Sequence, residues 1–443
     1  MKVVRTTGRG SAQAQETLAA LERRGGAALD AVLPAVKKIV ADVRKGGDRA
    51  LLRYAAKLDG LVDAGALRVT KEEMTAAWAA TSAEMQDALR TAAEQIRGFA
   101  VEQLPASWIA EDVPGLMTGQ MVRPLGAVGC YVPSGRHPLP STLLMTAIPA
   151  QVAGVERIVV VSPRPARETL AAAYLLGIAE FYRLGGAHAI AALAYGAGTI
   201  QRVDKIVGPG NLYVTAAKRL VAFDCAIDML AGPTEIVVTS ERGRAEDIAA
   251  DLVAQAEHDP ESLAIFITTN SELAKAVVTE AKRLSAKNVV AKISLANNGL
   301  VIVAGSLDEA RELTNRIAPE HLTVDELSDL DWVRNAGSVF IGRWSPQPMG
   351  DYISGPNHTL PTGGTARVRG GLSVNDFVKL ITVQKYDRQA LGLLGPKAAL
   401  LADAEGLTGH AEAIRARLAP AVRRPFLASQ EGQGNQMKRR RRG

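Results

Sequence analysis

The chain has 443 residues, 47% of them hydrophobic and only 4% aromatic, enough for two domains with real cores and a composition that suits an α/β build. Five of its positive charges, Lys438 to Arg442, crowd the last six residues; without them the net charge falls by five, from +6 to +1, so the body is nearly neutral and nucleic acid is not an expected partner. Two cysteines, Cys130 and Cys225, exclude a disulfide framework and a Cys-rich zinc site. The start lacks the apolar core of a signal peptide, and no run of about 18 apolar residues spans a membrane. A soluble, cytoplasmic protein is expected, and any metal must use nitrogen and oxygen ligands.

Residues 1–24 are small and polar and read as an arm. From Asp30, Val32, Val36, Ile39 and Val43 recur at helical spacing, and helical character continues to about residue 103. "MVRPLGAVGCYVPSG" then switches to short apolar runs cut by Gly and Pro, a βα signature and a domain boundary. Strands are predicted at 157–163, 235–240, 263–270, 300–306 and 337–343, with "HAIAALAYG" (188–196) a strand or a short helix and 204–211 a strand entering a tight turn. Helices are predicted at 168–179, 212–222, 245–258, 271–284 and 307–317. Alternation of this kind argues for parallel sheets with helices on both faces. Residues 376–427 revert to helix, and the polar, basic end from 428 to 443 reads as disordered.

Five constellations carry possible chemistry. In "IAADLVAQAEHDP", Ile248, Leu252 and Gln255 share a helical stripe and His258 follows three residues on. An amide oxygen and an imidazole would then leave the last turn towards the C-terminal end of a neighbouring strand, where they could share a metal; equally, Gln255 could cap a carbonyl and His258 face the helix dipole. Asp351 and His358 flank a Gly-Pro turn in "MGDYISGPNHTLPTGG", a rigid loop that suits a site or an Asx turn. Glu405 and His410 stand where a Gly-interrupted segment enters an amphipathic helix. In "IAPEHLTV", Pro319 ends a helical pattern and leaves Glu320 and His321 adjacent: a general acid–base pair, or a polar turn facing water. "KIVGPGNLYVTAAKR" reads strand, glycine turn, helix, which can seat a phosphate on backbone amides, although the chain holds no G-x-G-x-x-G.

Taken together, "CYVPSGRHPLPSTLLMTAIPAQVAGV", "VDKIVGPGNLYVTAAKR", "DMLAGPTEIVV", "DLVAQAEHDP", "APEHL", "GPNHTLPTGGTAR" and "AEGLTGHA" resemble the histidinol dehydrogenases in order and spacing over roughly residues 25–420. The resemblance implies two incomplete Rossmann-like parallel-sheet domains with small helical N- and C-terminal appendages. In that arrangement 25–119 and 236–375 form the domain with the catalytic and zinc residues, 120–235 the NAD-binding one, and 376–427 a helical dimerisation segment. It implies a zinc- and NAD-dependent, four-electron oxidation of L-histidinol to L-histidine through L-histidinal. Gln255, His258, Asp351 and His410 would be the zinc ligands, and they contact substrate as well. Glu320 and His321 would be the acid–base pair; Thr234, His358 and Glu405 would join His321 on the substrate, and Tyr131, His188 and Asn211 would touch the cofactor. It also implies an intertwined homodimer in which the partner contributes Glu405 and His410.

Two positions depart from the family pattern: His188 stands where Gln is usual, and Thr234 where Ser is commoner. His137 carries no role from the resemblance and reads as loop packing. Three other readings remain: a related dehydrogenase of another polar alcohol, a zinc hydrolase using Glu320 as base, and non-specific phosphate binding by the basic tail.

Overall fold

The computed structural model describes residues 1–24, 27–134 and 138–419. His137 and the tail from 428 to 443 lie outside the described residues. The chain opens with β1 (Lys2–Arg5), α1 (Ser11–Glu22), α2 (Ala27–Tyr54, broken at Gly47, φ 49°), α3 (Lys71–Ala79) and α4 (Ala83–Glu102). A hairpin of β2 (Trp108–Val113) and β3 (Leu116–Pro124) leads to β4 (Ala127–Tyr131), α5 (Pro140–Val152), β5 (Arg157–Val161), α6 (Arg167–Leu175), β6 (Glu180–Tyr182), α7 (Gly186–Tyr195), β7 (Lys205–Val207), α8 (Leu212–Val221) and β8 (Ala226–Ile227). A second alternation follows: β9 (Glu235–Thr239), α9 (Ala245–Ala256), β10 (Leu263–Thr268), α10 (Ser271–Leu284), α11 (Val289–Asn297), β11 (Gly299–Val303), α12 (Leu307–Ile317), β12 (His321–Val324), β13 (Ser338–Ile341) and the short α13 (Pro348–Tyr352). The described chain ends with β14 (Val378–Tyr386), α14 (Arg388–Ala404) and α15 (Thr408–Leu418).

The fold is α/β, with two wholly parallel sheets. One has the order β6-β5-β4-β7-β8, the other β1-β11-β10-β9-β12-β13. Each steps outward from its first central strand and then crosses to that strand's other side, the order of a doubly wound sheet. The switch points fall between β4 and β7 and between β9 and β12. The apolar runs "EIVVT" and "GLVIV" are buried along their whole length, as strands covered on both faces must be. Their cover is amphipathic helix. In α10, Asn270 caps the start by accepting from the backbone of Glu272 and Leu273. Ala274, Val277 and Ala281 face the core, and Lys282 and Arg283 oppose the C-terminal dipole.

Three expectations change here. Lys2–Arg5 is an edge strand in register with Leu300–Val303, so the first residues of the arm belong to a sheet. The helices between residues 27 and 102 cover the five-stranded sheet: Val36, Val43 and Leu51 pack with Val159, Ile190 and Val214, and α3 and α4 lie against α6 and α5. An amphipathic stripe specifies that it needs a core but not which sheet supplies it, so grouping this segment with 236–375 does not describe its packing. Val378–Tyr386, expected as helix, is a strand; its Val, Ile and Thr content suits an extended segment. By contact density the chain forms two compact units, Met1–Ala106 with Val122–Lys379, and Ser107–Met121 with Leu380–Gly443. In the second unit β2 and β3 pair antiparallel, and α14 and α15 pack through Ala399, Ala402 and Ala411.

The loop after β7 is held from below. Gly208 N–H donates to Asp228 Oδ2 at 2.7 Å, and its carbonyl accepts from Lys218 Nζ at 2.9 Å, while Lys218 and Asp228 form a buried ion pair. Gly208 has φ +112°, and a Cβ there would lie 2.2 Å from the Tyr131 carbonyl oxygen. Gly208→Ala should therefore cost about 2 kcal/mol or more, whereas Gly370→Ala, where a Cβ meets nothing within 4 Å, should stay within about 0.5 kcal/mol. Denaturant midpoints of the two variants check this.

Candidate active site

The stop of α12 delivers the central pair. Ser306 caps its first turn, Ala310, Leu313, Thr314 and Ile317 form its buried face, and the helix ends where Ala318 turns left-handed (φ 51°). Pro319, which has no N–H to donate, follows. β12 then begins at His321, opposite Ile236 of β9 and Ser338 of β13. Glu320 and His321 thus sit at the amino edge of the six-stranded sheet, at its switch point, and both are buried.

Glu320 Oε2 accepts from the Thr234 hydroxyl at 2.6 Å and from the Glu235 N–H at 2.8 Å. Burial is the larger influence and pushes its carboxyl well above the usual carboxylate range, against these two donors. His321 Nδ1 lies 3.2 Å from the Glu235 carbonyl oxygen, which can only accept, so Nδ1 carries the proton and Nε2 keeps a lone pair. That Nε2 is 3.8 Å from Asp351 Oδ1. Burial lowers the imidazole to about 4 although Asp351 opposes it, so His321 is neutral near pH 7 and able to take a proton.

Gln255 and His258 leave the end of α9. Because α9 runs antiparallel to the strands, they arrive at the amino edge, not at the carboxyl end expected from the sequence. Gln255 is fully buried, and its Nε2 donates to Thr234 Oγ1, leaving Oε1 without a hydrogen-bond partner. His258 Nδ1 donates to the Ala254 carbonyl at 3.0 Å, so Nε2 is the open nitrogen. Asp351, on α13, accepts from Gln347 Nε2 at 3.0 Å, and its backbone carbonyl accepts from His358 Nδ1 at 2.8 Å. His358 Nε2 meets Thr142 Oγ1 at 3.2 Å, and burial lowers its basicity. A cavity of about 240 Å³, lined among others by His321, Phe340, Asn357 and His358, opens beside the pair. It has room for a small molecule.

Among the described residues no three His, Cys, Asp or Glu side chains gather as a metal site. The donor set nevertheless suits a metal: a buried amide oxygen with no partner, an imidazole with its outer nitrogen open, and a carboxylate. The fourth expected ligand, His410, lies in the first turn of α15, and Glu405 caps α14; both are exposed and belong to the second compact unit.

Tyr131, His188 and Asn211 mark the carboxyl edge of the five-stranded sheet. Tyr131 Oη accepts from Gly186 N–H at 3.1 Å, and burial raises its phenol to about 12. His188 is fully buried; Nε2 binds Asp59 Oδ2 at 2.7 Å, its ring stacks on Tyr54, and Nδ1 has no partner. Asn211 caps α8, accepting from the backbone of Tyr213 and Val214. Two helix starts with adjacent glycines, at Gly185-Gly186 and Gly208-Pro209-Gly210, flank this switch point. Such starts suit a pyrophosphate, although His188 presents its Nε2 to Asp59 rather than outward.

Sequence reasoning missed Glu235, whose backbone N–H and carbonyl serve Glu320 and His321, and Thr142, which meets His358 from the head of α5. It also missed Arg24, whose guanidinium binds the Glu235 carboxylate through Nε and Nη2, each at 2.7 Å. The acid that opens the otherwise apolar "EIVVT" was a usable signal, since a charge at the head of a buried strand requires a partner.

A model of the histidinol dehydrogenase family matches residues 22–418. A histidinol dehydrogenase of Geobacillus kaustophilus is 49% identical over 396 residues, covering 87% of this chain and 93% of that protein. One from Methanothermobacter thermautotrophicus is 44% identical over 403 residues, covering 88% and 94%. The crystal structure of histidinol dehydrogenase from Elizabethkingia anophelis superposes with a TM-score of 0.87 at 35% identity, covering 94% of this chain and 98% of that one.

The raised Glu320 carboxyl has a consequence for stability. Its neutral form contributes fully below the ordinary carboxylate pKa of 4.5, and that contribution is lost as pH rises through the raised value. Glu320→Gln keeps an acceptor for Thr234 and Glu235 without the charge. In chelator-treated protein its melting temperature, relative to the unaltered protein, should therefore climb between pH 5 and 8; a difference that stays flat or falls contradicts the assignment.

Proposed function

The chain belongs to the histidinol dehydrogenase family, and from that premise we propose that it oxidises L-histidinol through L-histidinal to L-histidine in two steps, with Glu320 and His321 handling the protons. The observation that carries this reading is the buried Glu320–His321 pair, in which a neutral imidazole presents a free Nε2 and a carboxyl of raised basicity stands beside it. Gln255, His258 and Asp351 would hold a zinc ion with His410. The exposed His410 and Glu405 on a small separate unit support a homodimer in which the partner chain supplies them. Zinc would supply a fixed positive centre that orients the substrate's amine and imidazole, and NAD a hydride acceptor.

His321 takes the hydroxyl proton of the alcohol on Nε2 as the carbon loses hydride. Its Nδ1–H bond to the Glu235 carbonyl holds the ring while this occurs. Glu320, ionised, takes a proton from the water that adds to the aldehyde, and the Thr234 hydroxyl and Glu235 N–H hold its Oε2 in place. His321 then removes a proton from the hydrated aldehyde during the second oxidation. Burial keeps both groups away from bulk water, so the aldehyde can remain bound between steps.

The test is a count of reduced cofactor with L-histidinol and NAD: two equivalents per substrate, abolished by a chelator and restored by zinc. Turnover of another alcohol but not of histidinol would overturn the substrate assignment. The two residues should also separate by step. Glu320→Gln should still reduce some NAD from histidinol while losing on the order of 10²-fold or more in rate on histidinal, whereas His321→Asn should lose both. Equal losses on the two substrates in Glu320→Gln would contradict that division.

A further inference from the structure

We infer that Arg24 and Glu235 form a positioning pair that sets the register of Glu320 and His321, an inference that rests on the reading of those two as the proton-handling groups. Glu235 is the first residue of β9 and is buried, and three of its groups are used at once. Its N–H donates to Glu320 Oε2 at 2.8 Å, its carbonyl accepts from His321 Nδ1 at 3.2 Å, and its carboxylate is gripped by Arg24 Nε and Nη2, each at 2.7 Å. The backbone of this residue therefore fixes the tautomer of one catalytic group and one donor to the other.

Arg24 reaches further than Glu235. The same Nη2 donates to the Ile317 carbonyl at 2.7 Å, and Nη1 donates to the Leu21 carbonyl at 2.7 Å. Ile317 is the last residue of α12, and only Ala318 and Pro319 separate it from Glu320. One guanidinium thus ties the head of β9 to the end of the helix that delivers the catalytic pair. Sliding of either element would change the Glu320 and His321 contacts together. A planar fork with several fixed donors can hold the carboxylate bidentately and a carbonyl at once; an ammonium can meet these acceptors only as a point charge. Arg24 lies just after α1, so the segment that follows the N-terminal strand and helix closes onto the catalytic edge of the sheet.

The pair touches no reacting atom in this account, so its removal should lower kcat and spare KM. Arg24→Gln, Glu235→Gln and the double variant should each lose about 10- to 100-fold in kcat for histidinol oxidation, with KM for histidinol and NAD within about twofold. Arg24→Lys should fall between these and the unaltered enzyme. The double variant leaves no unpaired buried charge, and Arg24→Lys retains the charge, so these two decide the matter if a single variant does not accumulate as folded protein. Unchanged kcat per folded molecule, with or without a lower melting temperature, would overturn the inference, as would a loss confined to KM. Failure of the unaltered enzyme to oxidise histidinol would refute the underlying reading instead, because the variants would then have no activity to compare.

Discussion

A carboxyl group buried beside a neutral imidazole is the constraint around which the six-stranded sheet is arranged at its amino edge. Water would keep Glu320 an ordinary, weakly basic carboxylate. Enclosed, it becomes a stronger base, yet it must still be anchored, and Thr234 and Glu235 at the head of β9 do so. That requires α12 to end at Ala318, β12 to begin at His321, and β9 to begin with a residue whose backbone is free to serve both groups. The left-handed turn at Ala318 and the following proline are therefore parts of the site, although neither carries a functional side chain.

The two parallel sheets present their candidate site residues at opposite edges. The five-stranded sheet offers its carboxyl edge, where glycine turns lead into α7 and α8. The six-stranded sheet offers its amino edge, where the helices that cross between strands terminate and release Gln255, His258 and His321. The edges are joined through the loop after α13: His358 meets Thr142, and Asn357 donates to the Met145 carbonyl, both on α5 immediately beyond β4. Under the proposed function, these two edges would place the proton-handling pair and the hydride acceptor on either side of one substrate.

Much of this was legible in the sequence because the buried strands are apolar throughout and the helices between them carry clean stripes. "APEHL" pointed to a pair at a helix end, and in the structure Glu320 and His321 are both buried there. The direction of α9 relative to the strands, which sets the edge that Gln255 and His258 reach, follows from a parallel sheet with helical crossovers; the alternation already implied both, so the amino edge was legible and the sequence reading placed the pair at the wrong end. Two kinds of information were not legible. The stripe of α2 announces burial but not its partner. The link from Arg24 to Glu235 spans more than two hundred positions, and nothing local in "ERRGG" distinguishes a structural arginine from a surface one.

The hydroxyl at position 234 is used twice. Its single proton is committed to Glu320, so towards Gln255 its oxygen can only accept. That forces the amide to present Nε2 to Thr234 and leaves Oε1 as the buried atom without a partner. The orientation of the amide oxygen, and with it the capacity of Gln255 to serve as an oxygen ligand, is therefore set by the same hydroxyl that anchors the carboxyl. Serine and threonine can both fill that role. Valine, of nearly the same shape, would lose both functions at once: the anchor of Glu320 and the reason for Gln255 to hold its oxygen outward. The anchoring of the carboxyl and the orientation of the amide are thus coupled through one oxygen atom.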